Sequence, residues 1–376
     1  MAEETNQRLK LASELGSGQT PEPVSEPVLQ PMSEQASGLT RREAMLQLLR
    51  VGGVAAGAVG AGLWLSERSD RPVPAHAEQG RRDHRVAGDA HSQWPHLTVV
   101  QLPMDKDASG ADPVARSGEP RVLVQRALEN LGGIRRFIGR QDIVVLKPNI
   151  AWDRTPEQAA NTNPEVVAEV VRQCWQAGAR RVIVTDVSCN EAQRCFQRSG
   201  IMAAARAEGA EVILPDPELY REVDIGGVVL KSWPVFTPFL EADKIINLPI
   251  AKHHGLVGVT LGMKNWYGIL GGQRNRLHQQ IHQSLADLAS FMLPTVTLLD
   301  GYRILLRNGP TGGNLEDVAL KKTMVAGTDP VALDAYVAKA WWNLDAEHLP
   351  YLQLAAERGL GTVDFEKLDI RFSHLG

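Results

Sequence analysis

The chain has 376 residues, with 40 Lys and Arg against 44 Asp and Glu and a formal net charge of −4. That balance gives no electrostatic reason to expect nucleic acid or an anionic membrane surface as a partner. The three cysteines, Cys174, Cys189 and Cys195, contain no Cys-x-x-Cys pair, so neither an iron–sulfur cluster nor a zinc ribbon is expected.

Residues 1–39 are rich in Glu, Gln, Ser and Pro and are expected to be disordered. Thr40-Arg41-Arg42 then precedes a Gly/Ala-rich apolar run from Val51 to Leu65 and a small-x-small site at Ala75-His76-Ala77. This is the pattern of a twin-arginine export signal over 40–77, which implies the twin-arginine translocation machinery as a partner and a periplasmic location. The run is short for a spanning helix, which needs roughly 20 apolar residues. A retained membrane anchor and a chance Arg-Arg are the alternatives. Residues 78–95 are polar and read as a linker, and 96–376 as the folded domain.

Within that domain, strands are predicted at Leu97–Leu102, Asp142–Leu146, Arg181–Thr185, Glu211–Leu214, Lys244–Asn247, Thr295–Leu299 and Thr323–Val325. Helices are predicted at Arg121–Leu131, Asn163–Ala177, Gly200–Glu208, Leu277–Phe291 and Pro330–Trp342. Continuous apolar strands alternating with helices give an α/β fold, a mainly parallel sheet covered by helices on both faces. Two α/β lobes around a cleft are a variant of the same pattern.

In open α/β sheets, ligands sit beyond the carboxyl ends of the strands. Here those ends carry Lys147 and Asn149, Asp186, Asn247, and Asp300. At least two of Lys147, Asn149, Asp186 and Asn247 are expected to face one cleft. Thr162-Asn163-Pro164 and Thr328-Asp329-Pro330 mark helix starts, which suit anions as well as ordinary capping.

The segment from Asn247 to Gly268 concentrates the chemistry. It places Lys252, His253, His254, Lys264 and Asn265 among glycines and reads as a functional loop. Lys264, between Met263 and Trp266, is expected to be desolvated, with a lowered pKa suited to base or covalent work. Arg274 and Arg276 follow in a glycine-rich loop and suit a carboxylate or phosphate. Gly309 to Gly313 forms a second such loop, suited to closing over a ligand. His278 and His282 stand four apart on a predicted helix, which is metal-ligand spacing or a solvated flank. Neither nucleotide-binding glycine pattern occurs. Cys189 and Cys195 either pair across five residues in an oxidising compartment or remain free.

Lys147-Pro148-Asn149, Thr162-Asn163-Pro164-Glu165, Asp186, Asn247-Leu248-Pro249, Met263-Lys264-Asn265-Trp266-Tyr267-Gly268 and Asp329-Pro330-Val331-Ala332-Leu333-Asp334 together resemble domain-of-unknown-function family 362, over roughly residues 97–345. The resemblance implies a fold and a shared site more than an activity. Many relatives append ferredoxin-like modules, whose cysteines this chain lacks. A more distant likeness is to the nickel-pincer lactate racemases, where a histidine precedes a cofactor-bearing lysine, as His254 precedes Lys264 here.

Together these readings give an exported enzyme doing acid–base chemistry on a small anionic substrate, racemase- or isomerase-like. Lys264, His254, Lys147 and Asp186 are its expected catalytic residues. Asn149, Asn247, Asn265, Arg274, Arg276, Thr162 and Asn163 are its expected substrate contacts. A transition metal (nickel, iron or zinc) on His253, His254, His278 and His282, or a lysine-bound cofactor, is the implied addition. A binding protein for a small anion or metal, and a redox partner, are the rival readings.

Overall fold

The computed structural model describes residues 82–87, 93–104 and 115–376. The expected disordered extension and export signal lie outside the described residues. In chain order the strands are β1 (Arg82–Asp83), β2 (Leu97–Gln101), β3 (Ile143–Pro148), β4 (Arg181–Val184), β5 (Glu211–Val212), β6 (Tyr220–Asp224), β7 (Ser232–Phe236), β8 (Lys244–Leu248), β9 (Ile250–His254), β10 (Gly258–Thr260), β11 (Met292–Leu293), β12 (Val296–Leu305), β13 (Val318–Gly327) and β14 (Ile370–His374). The α-helices are α1 (Glu119–Asn130), α2 (Pro164–Ala177), α3 (Ala192–Arg198), α4 (Ile201–Ala207), α5 (Thr237–Glu241), α6 (Ile281–Phe291), α7 (Pro330–Trp342) and α8 (Pro350–Glu357).

Ten of the strands form one continuous sheet in the order β14-β2-β13-β12-β8-β3-β4-β5, with β9 branching from β12 and β10 pairing with β9. The run from β12 through β8, β3 and β4 to β5 is parallel. The pairs β12/β13, β13/β2 and β9/β10 are antiparallel. The fold is therefore the mainly parallel α/β architecture that the alternating pattern predicts.

Strand β3 shows why it forms. Successive side chains point to opposite faces, so Ile143 and Val145 enter one core while Val144 and Leu146 enter the other. Both faces are covered by helices, which is why the strand reads as continuously apolar. Each such aliphatic side chain, fully buried, stabilises by about 1.5–3 kcal/mol. Helix α2 starts where Asn163 accepts from the Glu165 N–H ahead of a proline, and it stops at Gly178, whose φ of 96° closes it in the left-handed region.

Several elements depart from expectation. The expected linker is partly docked, because Arg82 and Asp83 pair in parallel with Met292 and Leu293. The segment read as a functional loop contains two strands, β9 and β10. The predicted helix from Leu277 is a 3-10 stretch, Arg274–Gln280, before α6 begins at Ile281. Helices α3 and α8, the β6–β7 hairpin and β14 were not anticipated.

Candidate functional site

A cavity of about 800 Å³ opens at the carboxyl edge of the parallel strands. The end of β3 contributes Lys147 and then Asn149, and the loop after β4 contributes Asp186 and Cys189. Lys252 and His254 come from β9, and Lys264, Asn265 and Tyr267 from the 3-10 helix Lys264–Ile269. Arg274, His278 and the Gly309-Pro310-Thr311 turn complete the wall. Among the described residues lining it, four cationic side chains face one carboxylate, that of Asp186.

The floor is a closed hydrogen-bond network. Lys147 Nζ donates to Asp186 Oδ1 at 2.5 Å, to the Pro148 carbonyl at 2.9 Å and to Asn265 Oδ1 at 3.2 Å, which uses all three of its protons. Burial outweighs the Asp186 carboxylate and holds the Lys147 ammonium below the usual lysine value. Asp186 also accepts from the Ile150 N–H at 2.6 Å. Gly268 makes room for this pair: a Cβ there would lie 1.8 Å from Asp186 Oδ1.

Asn265 is the hub. It donates to the Lys147 carbonyl and to Asn247 Oδ1, and accepts from Lys147 and Asn149. Those four bonds saturate it, so it supports the floor rather than offering a free donor.

Two lysines above that floor are different. Lys252 Nζ donates to Asn149 Oδ1 (2.9 Å) and the Ala160 carbonyl (2.6 Å), leaving one proton free. Lys264 Nζ has no hydrogen-bond acceptor among the described residues. Its ammonium lies over the Tyr267 ring, 4.2 Å from the centroid, although the residue is only 7% exposed. Burial lowers Lys252 to about 7, with Lys264 and Lys147 adding to the effect. Burial likewise lowers Lys264 to about 8, with Arg274 adding to it.

His254 is held at about 3 by burial and by the charges of Lys264 and Lys252, so its ring is neutral at physiological pH. Its Nδ1 accepts from the Leu256 N–H at 3.2 Å, which puts the proton on Nε2. His278 stacks beside it, ring centroids 6.1 Å apart, with its Nδ1 3.3 Å from the Asn275 carbonyl. That contact assigns the His278 proton to Nδ1 and leaves Nε2 as an acceptor. The hydroxyl of Thr260, on the same wall, is buried without a hydrogen-bond partner among the described residues.

Of the catalytic, substrate-binding and metal-ligating residues expected from the sequence, Lys147, Asn149, Asp186, His254, Lys264, Asn265, Arg274 and His278 are brought to one cavity. The rest are placed elsewhere. Asn247 lies behind the wall, donating to the Gly262 carbonyl at 3.0 Å. Thr162 Oγ1 accepts from the Asn149 N–H and donates to the Leu248 carbonyl, while Asn163 caps α2, so both serve the scaffold. Arg276 is exposed and away from the cavity. Arg274 spends its guanidinium on the carbonyls of Val187, Ser188 and Tyr267, acting as a buttress.

The histidine set does not assemble a metal centre. His253 faces away and accepts from the Gly309 N–H, and His282 stacks on Tyr351 with centroids 6.2 Å apart. His278, in the 3-10 stretch, stacks on His254, whereas His282 belongs to α6. Among the described residues no three of His, Cys, Asp or Glu come together as a metal-binding group. His254, with its proton on Nε2, is arranged as a hydrogen-bond donor rather than a ligand. The three cysteines are free thiols, Cys174 and Cys195 buried and Cys189 exposed on the cavity wall.

Lys252 was the residue that sequence reasoning undervalued. Strand periodicity identifies it, because residues two apart share a face, so Lys252 and His254 point together while His253 points away.

Comparison with known proteins identifies several similar chains. A thylakoid-associated protein of Synechocystis sp. is 26% identical over 260 residues, covering 65% of this chain and 76% of the relative. Two solved structures are similar at a TM-score of 0.36: a Thermotoga maritima protein at 12% identity and the lactate racemase apoprotein of Thermoanaerobacterium thermosaccharolyticum at 15%. They match 65% and 66% of this chain, which spans 61% and 55% of their respective lengths. The profile of the domain of unknown function DUF362 matches residues 144–339, more than half of the chain and all of the strands that carry the cavity floor. The protein is a member of the DUF362 family.

Proposed function

We propose that the protein is an enzyme that binds a small carboxylate or comparable oxyanion and moves a proton on it through Lys264. The observation that carries this reading is the Lys264 ammonium: buried, without a carboxylate partner among the described residues, and lowered by burial to about 8. A buried charge left unpaired destabilises the fold, and its natural complement is an anionic ligand. The free groups on the wall are mostly donors: three protons on Lys264, one on Lys252 and Nε2–H of His254. An acceptor-rich anion fits that inventory. A lysine titrating near 8 also exchanges protons readily at physiological pH, as a general acid or base must. Neutral His254 would donate to charge developing on the substrate, with His278 Nε2 as an acceptor beside it.

The test is solvent deuterium exchange in a panel of small carboxylates, at C2 of 2-hydroxycarboxylates and at C3 of 2-oxocarboxylates, followed by NMR. The wild-type chain is expected to exchange at least one of them, and Lys264→Ala to lose that exchange by 100-fold or more, in line with removal of a general acid–base group. Equal exchange by the variant would refute the assignment. A capture protein without turnover would bind the anion and exchange nothing. A covalent group on Lys264 would show as added mass on the intact protein mapping to that residue.

The same reading includes export by the twin-arginine route, supported by Arg41-Arg42 and the run that follows them, and compatible with a relative described as thylakoid-associated. Among the described residues no helix is long and apolar enough to cross a membrane. Replacing Arg41 and Arg42 with Lys should leave uncleaved precursor inside the cell. Unchanged processing would remove this part of the proposal.

A further inference from the structure

Asp334 lies one turn into α7, fully buried and outside the cavity wall. Its carboxylate oxygens accept from two consecutive amides, Oδ1 from the Gly262 N–H at 2.8 Å and Oδ2 from the Met263 N–H at 2.9 Å. Those residues directly precede Lys264. The carbonyl of Gly262 accepts in turn from Asn247 Nδ2 at 3.0 Å. The Gly262–Met263 peptide is thus held at both poles, its N–H by Asp334 and its C=O by Asn247. Position 262 has no room for a side chain, since a Cβ there would lie 2.9 Å from Asp334 Oδ1.

Packing alone does not account for this carboxylate. It has no cationic partner among the described residues, and burial raises it to about 7 against the pull of the two amides. An apolar side chain would fill the space without that penalty. What the carboxylate supplies is direction: two acceptors fix two successive N–H vectors, and so fix how the helix Lys264–Ile269 leaves the sheet.

We propose that Asp334 is a positioning residue, which sets the backbone at Gly262 and Met263 so that the Lys264 side chain is delivered into the anion cavity over Tyr267. The inference rests on the reading of Lys264 as the working group, but its test needs no substrate. The groups acting on the Lys264 ammonium are Cys189 and Arg274. Lys264 in turn acts on Lys252, His254 and His278. The charge of Asp334 itself is felt by Tyr351 from α8. Asp334 is not among the groups acting on Lys264. Loss of a nearby negative charge would in any case lower a lysine, whereas release of Lys264 from its buried position would raise it.

The measurement is trace acetylation of the folded protein with acetic anhydride across pH 6–11, with the rate at each lysine read by peptide mass mapping. In the wild type, Lys264 is expected to titrate near 8. In Asp334→Asn its midpoint should move up by a unit or more, lowering its acetylation rate at pH 7 by about tenfold, because the neutral fraction falls tenfold per unit. Lys367, exposed and outside the cavity wall, should keep its own profile and serves as the internal control. Asp334→Glu, which keeps two acceptors, should recover part of the shift. A folded Asp334→Asn protein with the wild-type Lys264 profile would overturn the proposal, as would a downward shift. If Asp334→Asn fails to fold, the Glu variant decides by the same criterion. Should neither fold, amide exchange in the wild type decides: the proposal requires protected Gly262 and Met263 amides, and exchange at unprotected rates would overturn it. A shifted Lys264 with no substrate turnover would leave the positioning role standing and remove only the enzymatic reading.

Discussion

Lys264 and Lys147 show two ways of burying an ammonium. Lys147 is satisfied by Asp186, Pro148 and Asn265, and removing one partner leaves the other charge stranded. Asp186→Asn should therefore destabilise the fold by about 3–5 kcal/mol, measured by denaturant unfolding. Among the described residues Lys264 has only the Tyr267 ring. Its pKa is depressed from 10.5 to about 8, so its contribution to stability is present above pH 10.5 and lost as pH falls through about 8. Lys264→Met removes that penalty and should stabilise the protein by about 1–3 kcal/mol at pH 7, the gain shrinking as pH rises toward 10.5. A destabilised Lys264→Met variant would mean the ammonium already has a partner. The sequence announced Lys264 through its apolar neighbours, but not that Asn265 beside it is fully bonded, since saturation depends on Lys147, Asn149 and Asn247 meeting it from two other segments. The same holds for Arg274, whose guanidinium is legible as an anion contact until the carbonyls of Val187, Ser188 and Tyr267 are seen to occupy it.

Strand β9 decides which histidine matters. Because side chains alternate along a strand, His254 shares the cavity with Lys252, and His253 turns to the Gly309 amide. His254→Ala should weaken anion binding at least fivefold, the loss of a hydrogen bond to a charged group, while His253→Ala leaves affinity within twofold; calorimetry distinguishes them, and the reverse order would contradict the assigned register. Strand β3 was plain in the sequence because both its faces are buried and its run Ile143 to Leu146 is uniformly apolar. Strand β9 was not, because its alternation of Ala251 with Lys252 and His254 resembles a loop when the polar face meets a cavity instead of solvent. Helices α2 and α7 were readable from Asn163-Pro164 and Asp329-Pro330, where cap and proline coincide. The helix around His278 was misjudged, since a 3-10 turn and an α-helix carry the same side chains until tertiary contacts choose between them.

At the scale of the molecule, the parallel strands bring their carboxyl ends to one edge, and the loops that follow fill that edge with polar groups. Ile246 sits at the centre of this arrangement, fully buried in β8; Ile246→Ala should lose about 2–5 kcal/mol of stability. The topology explains why Lys147, Asp186, Lys252 and Lys264, far apart in sequence, line one wall. The central claim is that this wall takes an anion through Lys252 and Lys264. It is tested most directly by titrating the wild-type protein with small carboxylates by calorimetry between pH 6 and 9, in buffers of different ionisation enthalpy. Both lysines are lowered in the free protein, to about 7 and about 8, and a bound anion raises them. Affinity should therefore be highest below pH 7 and fall as pH rises through 7 to 8, with proton uptake on binding above pH 7. Affinity that is flat with pH and takes up no protons, or no carboxylate binding at all, would contradict the account.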